Sequence, residues 1–316
     1  MIFAMAPTGS KAWLVGWTAL VVATVLGWNG CSGKESVVVV YTAQDQVYAE
    51  PIFEEFTRHT GVRVRPVFDS EAVKTVGLAN RLLAEKSHPQ ADVFWGNEEL
   101  RARQLAAQGV FRDPDGLATF GFRTRRIVIN TNRLSLAQAP RSLLELTNSV
   151  WRGKVALAYP MFGTTATHFL ALRQRWGTVP WEAWCRALQA NQAFLVDGNS
   201  VVVRFVGRGE ALVGLTDSDD IAAGQREGLP VAAVPVTPET LFIPNCVAII
   251  RNAPHAREAE SLFRYIQRPE IADRLVVINA LEGAQSRASE GLRVDWTALL
   301  QDLDTATATM RSTFLR

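Results

Sequence analysis

The stretch SVVVVYTAQDQVYAEPIFEEFTRHTGVRVRPVF, Ser36 to Phe68, decides the fold class. SVVVVYT is a short β-branched run of the kind buried on both faces of a parallel sheet. VYAEPIFEEFTRH then reads as a helix, with Pro51 near its first turn and Gly61 as its stop. VRVRPVF is a second strand, so the three pieces form a β-α-β unit.

The same alternation continues outward. VKTVGLANRLLAEK is expected to be a helix, ADVFWG a strand, and NEELRARQLAAQ a helix closed by Gly109. Three such units make one doubly wound lobe. RDPDGLATFGF is rich in turn residues, and Ile127 to Asn130 reads as a strand leaving that lobe. A second set of units runs from GKVALAYP through YPMFGTTATHFLALRQRW, WEAWCRALQANQ, AFLVDG, NSVVVRFVGRGE, ALVGLTD and SDDIAAGQREG to VAAVPV. TPETLFIPN, a strand to Ile250 and a helical end close the chain. A lobe that is left and re-entered implies two crossings. The expected fold is α/β: two doubly wound lobes on mostly parallel sheet, joined by two hinge segments with a ligand cleft between them. The expected boundaries are 37–130 with 238–285 for lobe 1, 131–237 for lobe 2, and 286–316 for C-terminal helices assigned to neither.

Composition bounds the function. The chain has 316 residues, 48% of them apolar, with 33 Lys and Arg against 31 Asp and Glu. That length supports two cores. The near balance of charge, with no block of five like charges, gives nucleic acid nothing to bind, so no nucleic-acid partner is expected. Residues 1–30 contain no Asp or Glu and one cation, Lys11, before the apolar run AWLVGWTALVVATVLGW. This reads as an export signal. With Cys31 after Gly30 it resembles a bacterial lipoprotein signal, departing from the usual pattern at Trp28. The resemblance implies lipidation of Cys31, a tether over 31–36, and a periplasmic protein anchored to a bacterial membrane. A retained hydrophobic anchor is the alternative. Cys185 and Cys246 lie in apolar settings and are expected to be separate buried thiols. No CxxC, GxSxG, GxxxxGK[ST] or HExxH occurs, and no enzyme activity is expected.

In open α/β sheets ligands gather beyond the carboxyl ends of strands. The residues there are Tyr41 and Asp45, Glu71 beside Asp69, Glu98, Gly163 to Thr165, Asn199 and Ser200, and Asp217, Asp219 and Asp220. Gly163, Thr164 and Thr165 open a helix with small side chains. They could cap it, or leave N–H groups to an anion at the positive end of its dipole. The aspartates also open a helix, where capping and a cationic or metallic ligand are both possible. His168 and Trp95 read as packing residues.

VVVVYTAQDQVYAEPIFEEFTRHTGVRV, ADVFWGNEE, RIVINTN, WRGKVALAYPMFGTTATH, GRGEALVGLTDSDD and FIPNCVAIIRNAPH, in that order, resemble the extracellular solute-binding proteins of ABC importers. The similarity is to the branch with ferric-iron and phosphonate binders. It implies a monomeric type II binding protein that closes by hinge bending, near Ile127–Asn130 and Val234–Leu241, and serves a permease and its ATPase. In that branch a Tyr-Tyr pair holds iron beside an anion. Here Asp219 and Asp220 fall at the pair, and Gly163 to Thr165 at the anion loop. The resemblance thus implies Fe(III) with carbonate or phosphate as cargo, on Asp217, Asp219 and Asp220. The alternatives are an aminoalkylphosphonate or other small charged solute, or a ligand-sensing role.

Overall fold

The computed structural model describes residues 36–69, 76–112, 116–284 and 290–315. Cys31, Glu71 and the signal segment lie outside these residues. Among the described residues no helix is long and apolar enough to cross a membrane.

Strand β1 (Val37–Thr42) is followed by α1 (Gln46–Thr60), which buries Tyr48, Ala49, Ile52, Phe53 and Phe56 along one stripe. Gly61 ends α1 in the left-handed region, at φ 72°. Strand β2 (Arg63–Phe68), helix α2 (Val76–Ala84), strand β3 (Val93–Gly96) and helix α3 (Glu99–Ala107) complete the first three units. β1 pairs in parallel with both β2 and β3.

Strand β4 (Leu117–Asn130) begins inside the stretch that reads as turns. Its glycine and aromatic residues build strand around an irregularity between Phe120 and Phe122, where Gly121 sits at φ 55°. Beyond it come β5 (Val155–Ala158), α4 (Gly163–Trp176), α5 (Thr178–Ala190), β6 (Phe194–Val196), α6 (Asn199–Gly207), β7 (Val213–Asp217), α7 (Ser218–Arg226) and β8 (Val231–Ala233). β9 (Phe242–Ile249), α8 (Ala256–Ile266), α9 (Pro269–Val277) and α10 (Trp296–Phe314) end the described chain.

One nine-stranded sheet results, in the order β2-β1-β3-β9-β4-β7-β5-β6, with β8 on β4. Its flanks are parallel, but its middle is not. β9 runs antiparallel to β3 and β4, and β4 antiparallel to β7 and β8. The expectation of a mostly parallel sheet fails there for a topological reason: the strands that carry the chain between the two halves run against their neighbours. β4 is shared. Leu117 to Thr124 pair with β9, whereas Arg125 to Ile129 pair with β7. The change of partner falls at Thr124 and Arg125, ahead of Ile127.

Two core clusters, one around Ile52, Phe56 and Trp95 and one around Phe94 and Phe111, cover the β1–β3 half. A third, with Phe169 and Trp184, belongs to the other half and takes Leu299, Leu303, Met310 and Phe314 of α10. Those residues pack the C-terminal helix on α4 and α5, and it meets α3 as well, where Arg103 lies over the Trp296 ring. Cys185 and Cys246 are separate buried thiols.

Candidate ligand-binding cleft

Several helices start at one cleft. α4, α6 and α7 begin at its wall behind the N-caps Phe162, Gly198 and Asp217, none of which gives its helix a side-chain cap. Their first-turn N–H groups point at the cleft with the positive ends of the helix dipoles. Gly163 takes φ 51°, a conformation costly for any residue with a Cβ. The cleft encloses about 530 Å³ of free space, part of it open to solvent. Its lining includes Asp45, Asn97, Arg123, Tyr159, Gly163, Thr164, Thr165, Asp197, Asn199, Asp217, Asp219 and Asp220.

Asp217 is the hub of the buried polar wall. Arg125 Nη1 donates to Asp217 Oδ1 at 2.7 Å and to Asn199 Oδ1 at 2.7 Å. Thr164 Oγ1 donates to Asp217 Oδ2 at 2.8 Å, and Asn199 Nδ2 reaches the same oxygen at 3.2 Å. Burial raises the Asp217 carboxyl, but Arg125, Arg123 and these hydrogen bonds outweigh it and hold the group below its usual range. Arg123 Nη1 donates to Asp219 Oδ2 at 2.9 Å, and Nη2 donates to the Asn97 carbonyl at 2.9 Å. Burial pulls the Arg123 guanidinium down, yet Asp219, Asp217, Asp45 and Asp220 raise it overall. Oxygens of Asp217, Asp219 and Asp220 lie within 4.8 Å of one another, close enough to share a cation.

The structure thus brings together Asp45, Gly163, Thr164, Thr165, Asn199 and the three aspartates, and places three other expected residues elsewhere. Tyr41 is buried behind the sheet, where its hydroxyl donates to Glu85 Oε2 at 2.9 Å under the Arg81 guanidinium. Burial and Glu85 push its phenol up to about 12. The alternation of β1 turned this side chain away from the cleft. Glu98 caps α3, accepting from Leu100 N at 2.8 Å and Arg101 N at 3.0 Å, and takes a hydrogen bond from Thr167 Oγ1 at 3.0 Å. Ser200 lies outside the lining and faces Arg204 at 3.4 Å. Trp95 packs in the core, edge-on to Phe53. The arginines were missed by sequence reasoning. Their signal was present in RTRRIVIN, where Arg123 and Arg125 stand two apart on one face of a strand too apolar to be solvated.

The profile of the bacterial extracellular solute-binding proteins matches residues 37–276. A Fe(3+)-binding periplasmic protein of Serratia marcescens is 31% identical over 191 residues, which are 55% of this chain and 54% of that relative. The aligned part is therefore about half of the relative's length. Among solved structures, iron-bound HitA from Pseudomonas aeruginosa superposes with a TM-score of 0.78 at 18% identity, covering 88% of this chain and 99% of its own. AfuA from Actinobacillus pleuropneumoniae, with exogenous fructose-6-phosphate bound, superposes at 0.75 and 18% identity, covering 89% and 99%. At such identities the structural likeness carries the fold: a type II binding protein of two lobes.

Proposed function

Because the chain belongs to the bacterial extracellular solute-binding proteins, we propose that it is the capture component of an ABC importer. It takes a small phosphorylated organic solute into the cleft and delivers it, chemically unchanged, to a permease driven by its ATPase. The observation that carries the choice of ligand is the state of Asp217. Both its oxygens are engaged, by Arg125 on one side and by Thr164 and Asn199 on the other. It acts as scaffold for the wall, while Asp219, held through Oδ2 by Arg123, and Asp220 line the cleft beside it. Two carboxylates suit hydroxyl or ammonium groups, and the uncapped starts of α4 and α6 suit a phosphate. The fructose-6-phosphate bound by the AfuA neighbour supports this reading. Lobe boundaries near residues 130 and 238 and a lipid tether at Cys31 complete the proposal.

Ferric iron with carbonate or phosphate is the second reading. It is favoured by the clustering of Asp217, Asp219 and Asp220 oxygens within 4.8 Å and by the name of the Serratia relative. Hard carboxylate oxygens suit that ion. Thermal melts decide between them. Fructose 6-phosphate or 2-aminoethylphosphonate should stabilise the protein by about 2.7 kcal/mol at a hundredfold excess over Kd, and be recovered intact. Stoichiometric iron retained after loading with ferric iron and phosphate, with no stabilisation by either organic compound, would overturn the first reading in favour of the second.

A further inference from the structure

Arg123 stands where a bound cation would stand. It is 3% exposed, and it lines the cleft. Its Nη1 lies 2.9 Å from Asp219 Oδ2 and its Nη2 3.5 Å from Asp217 Oδ2. One guanidinium thus touches two of the three carboxylates that cluster together. It is held from both sides of the cleft, because Nη2 also donates to the Asn97 carbonyl at the end of β3. An arginine stays charged at any working pH. This positive charge is therefore a fixed part of the site.

Two consequences follow for the ligand. Repulsion between the guanidinium and an incoming cation scales with the cation's charge, so Fe(III) meets three times the repulsion that an organic ammonium meets at the same distance. The guanidinium also engages Asp219 Oδ2, one of the carboxylate oxygens a metal could use. A neutral hydroxyl pays no such repulsion and needs only one acceptor. We propose that Arg123 is a specificity-determining residue, an internal counter-cation at Asp217 and Asp219 that closes the cleft to ferric iron and leaves it open to an organic solute. This rests on the organic-solute reading of the same cleft.

The test compares wild type, Arg123→Gln and Arg123→Lys, each loaded with ferric nitrilotriacetate plus phosphate, desalted and analysed for metal. Melts with fructose 6-phosphate run in parallel. Arg123→Gln should bind iron at least tenfold more tightly than wild type, while Arg123→Lys, which keeps the charge, should stay like wild type. A folded Arg123→Gln with no gain in iron sinks the inference while stabilisation of wild type by the phosphate ester leaves the functional reading standing. Stoichiometric iron on wild type sinks both. Should Arg123→Gln fail to fold, Asp219→Asn asks the same question from the other partner. Relieved of its nearer carboxylate, with Asp217 still 3.5 Å away, Arg123 should raise the affinity for inorganic phosphate at least tenfold, and an unchanged or lower affinity would count against the proposal.

Discussion

His168, on α4, is almost fully buried, and its Nε2 lies 2.8 Å from the Glu239 carbonyl. A carbonyl only accepts, so Nε2 carries a proton. Burial, with the Arg125 charge second, lowers its pKa from 6.5 to about 3. Folded protein therefore binds this proton less readily than unfolded chain. The associated stability is complete above pH 6.5 and is lost as pH falls toward about 3, at a slope of about 1.4 kcal/mol per pH unit. His168→Gln keeps a donor for Glu239 and removes the titration. Urea melts between pH 7 and 4 should show a shallower loss for the variant, and parallel curves would refute this. Arg125 is the other residue-scale test. Arg125→Met strips Asp217 of its 2.7 Å partner inside the protein, and should cost somewhat less than the about 3–5 kcal/mol of a buried charge left uncompensated, because Arg123 stays 3.5 Å away.

Among the elements, α6 is positioned by how closely it lies on β7. A Cβ on Gly214 would fall 2.5 Å from Val202 Cγ1 and 3.1 Å from both the Ala156 carbonyl oxygen and Val206 Cγ2. Gly214→Ala must push α6 outward, and overpacking of this kind costs about 1–3 kcal/mol. Because α6 carries Asn199, which holds Thr164 and Asp217, ligand affinity should fall together with melting temperature. A loss of stability with full affinity would show that the wall tolerates the shift. β4 teaches the complementary lesson. Its first half was hidden by Pro, Gly and Asp in RDPDGLATFGF, which signal turns locally, whereas the ladder with β9 makes Leu117 to Thr124 strand.

At the scale of the molecule, Arg226 clasps the two halves at a point away from the cleft lining. It extends from α7 to donate to the Tyr48 hydroxyl of α1 at 2.6 Å and to the Ile278 carbonyl, beyond α9, at 3.4 Å. Contacts like these contribute about 0.5–1.5 kcal/mol each, so losing one changes the closed population up to about tenfold and losing both changes it further. Arg226→Ala should increase the radius of gyration measured by X-ray scattering without ligand, and weaken binding through lost closure. Identical scattering curves for variant and wild type would show that the clasp does not hold the halves together.

The β-α alternation, the two halves with a crossing between them, the helix start at Gly163 and the aspartates after β7 were all legible in the chain, because apolar periodicity and capping chemistry act over a few neighbouring residues. Tyr41 shows where that reach ends: its position after a strand was readable, but the face it takes was set by the packing of β1 against α2. Arg123 and Arg125 show the same limit from the other side. Their partners Asp219 and Asp217 lie 96 and 92 residues away, brought opposite by the register of β4 with β7. Local pattern therefore determined the fold and the carboxylates, while only tertiary structure, by supplying those distant counter-charges at contact distance, decided what charge the cleft presents to a ligand.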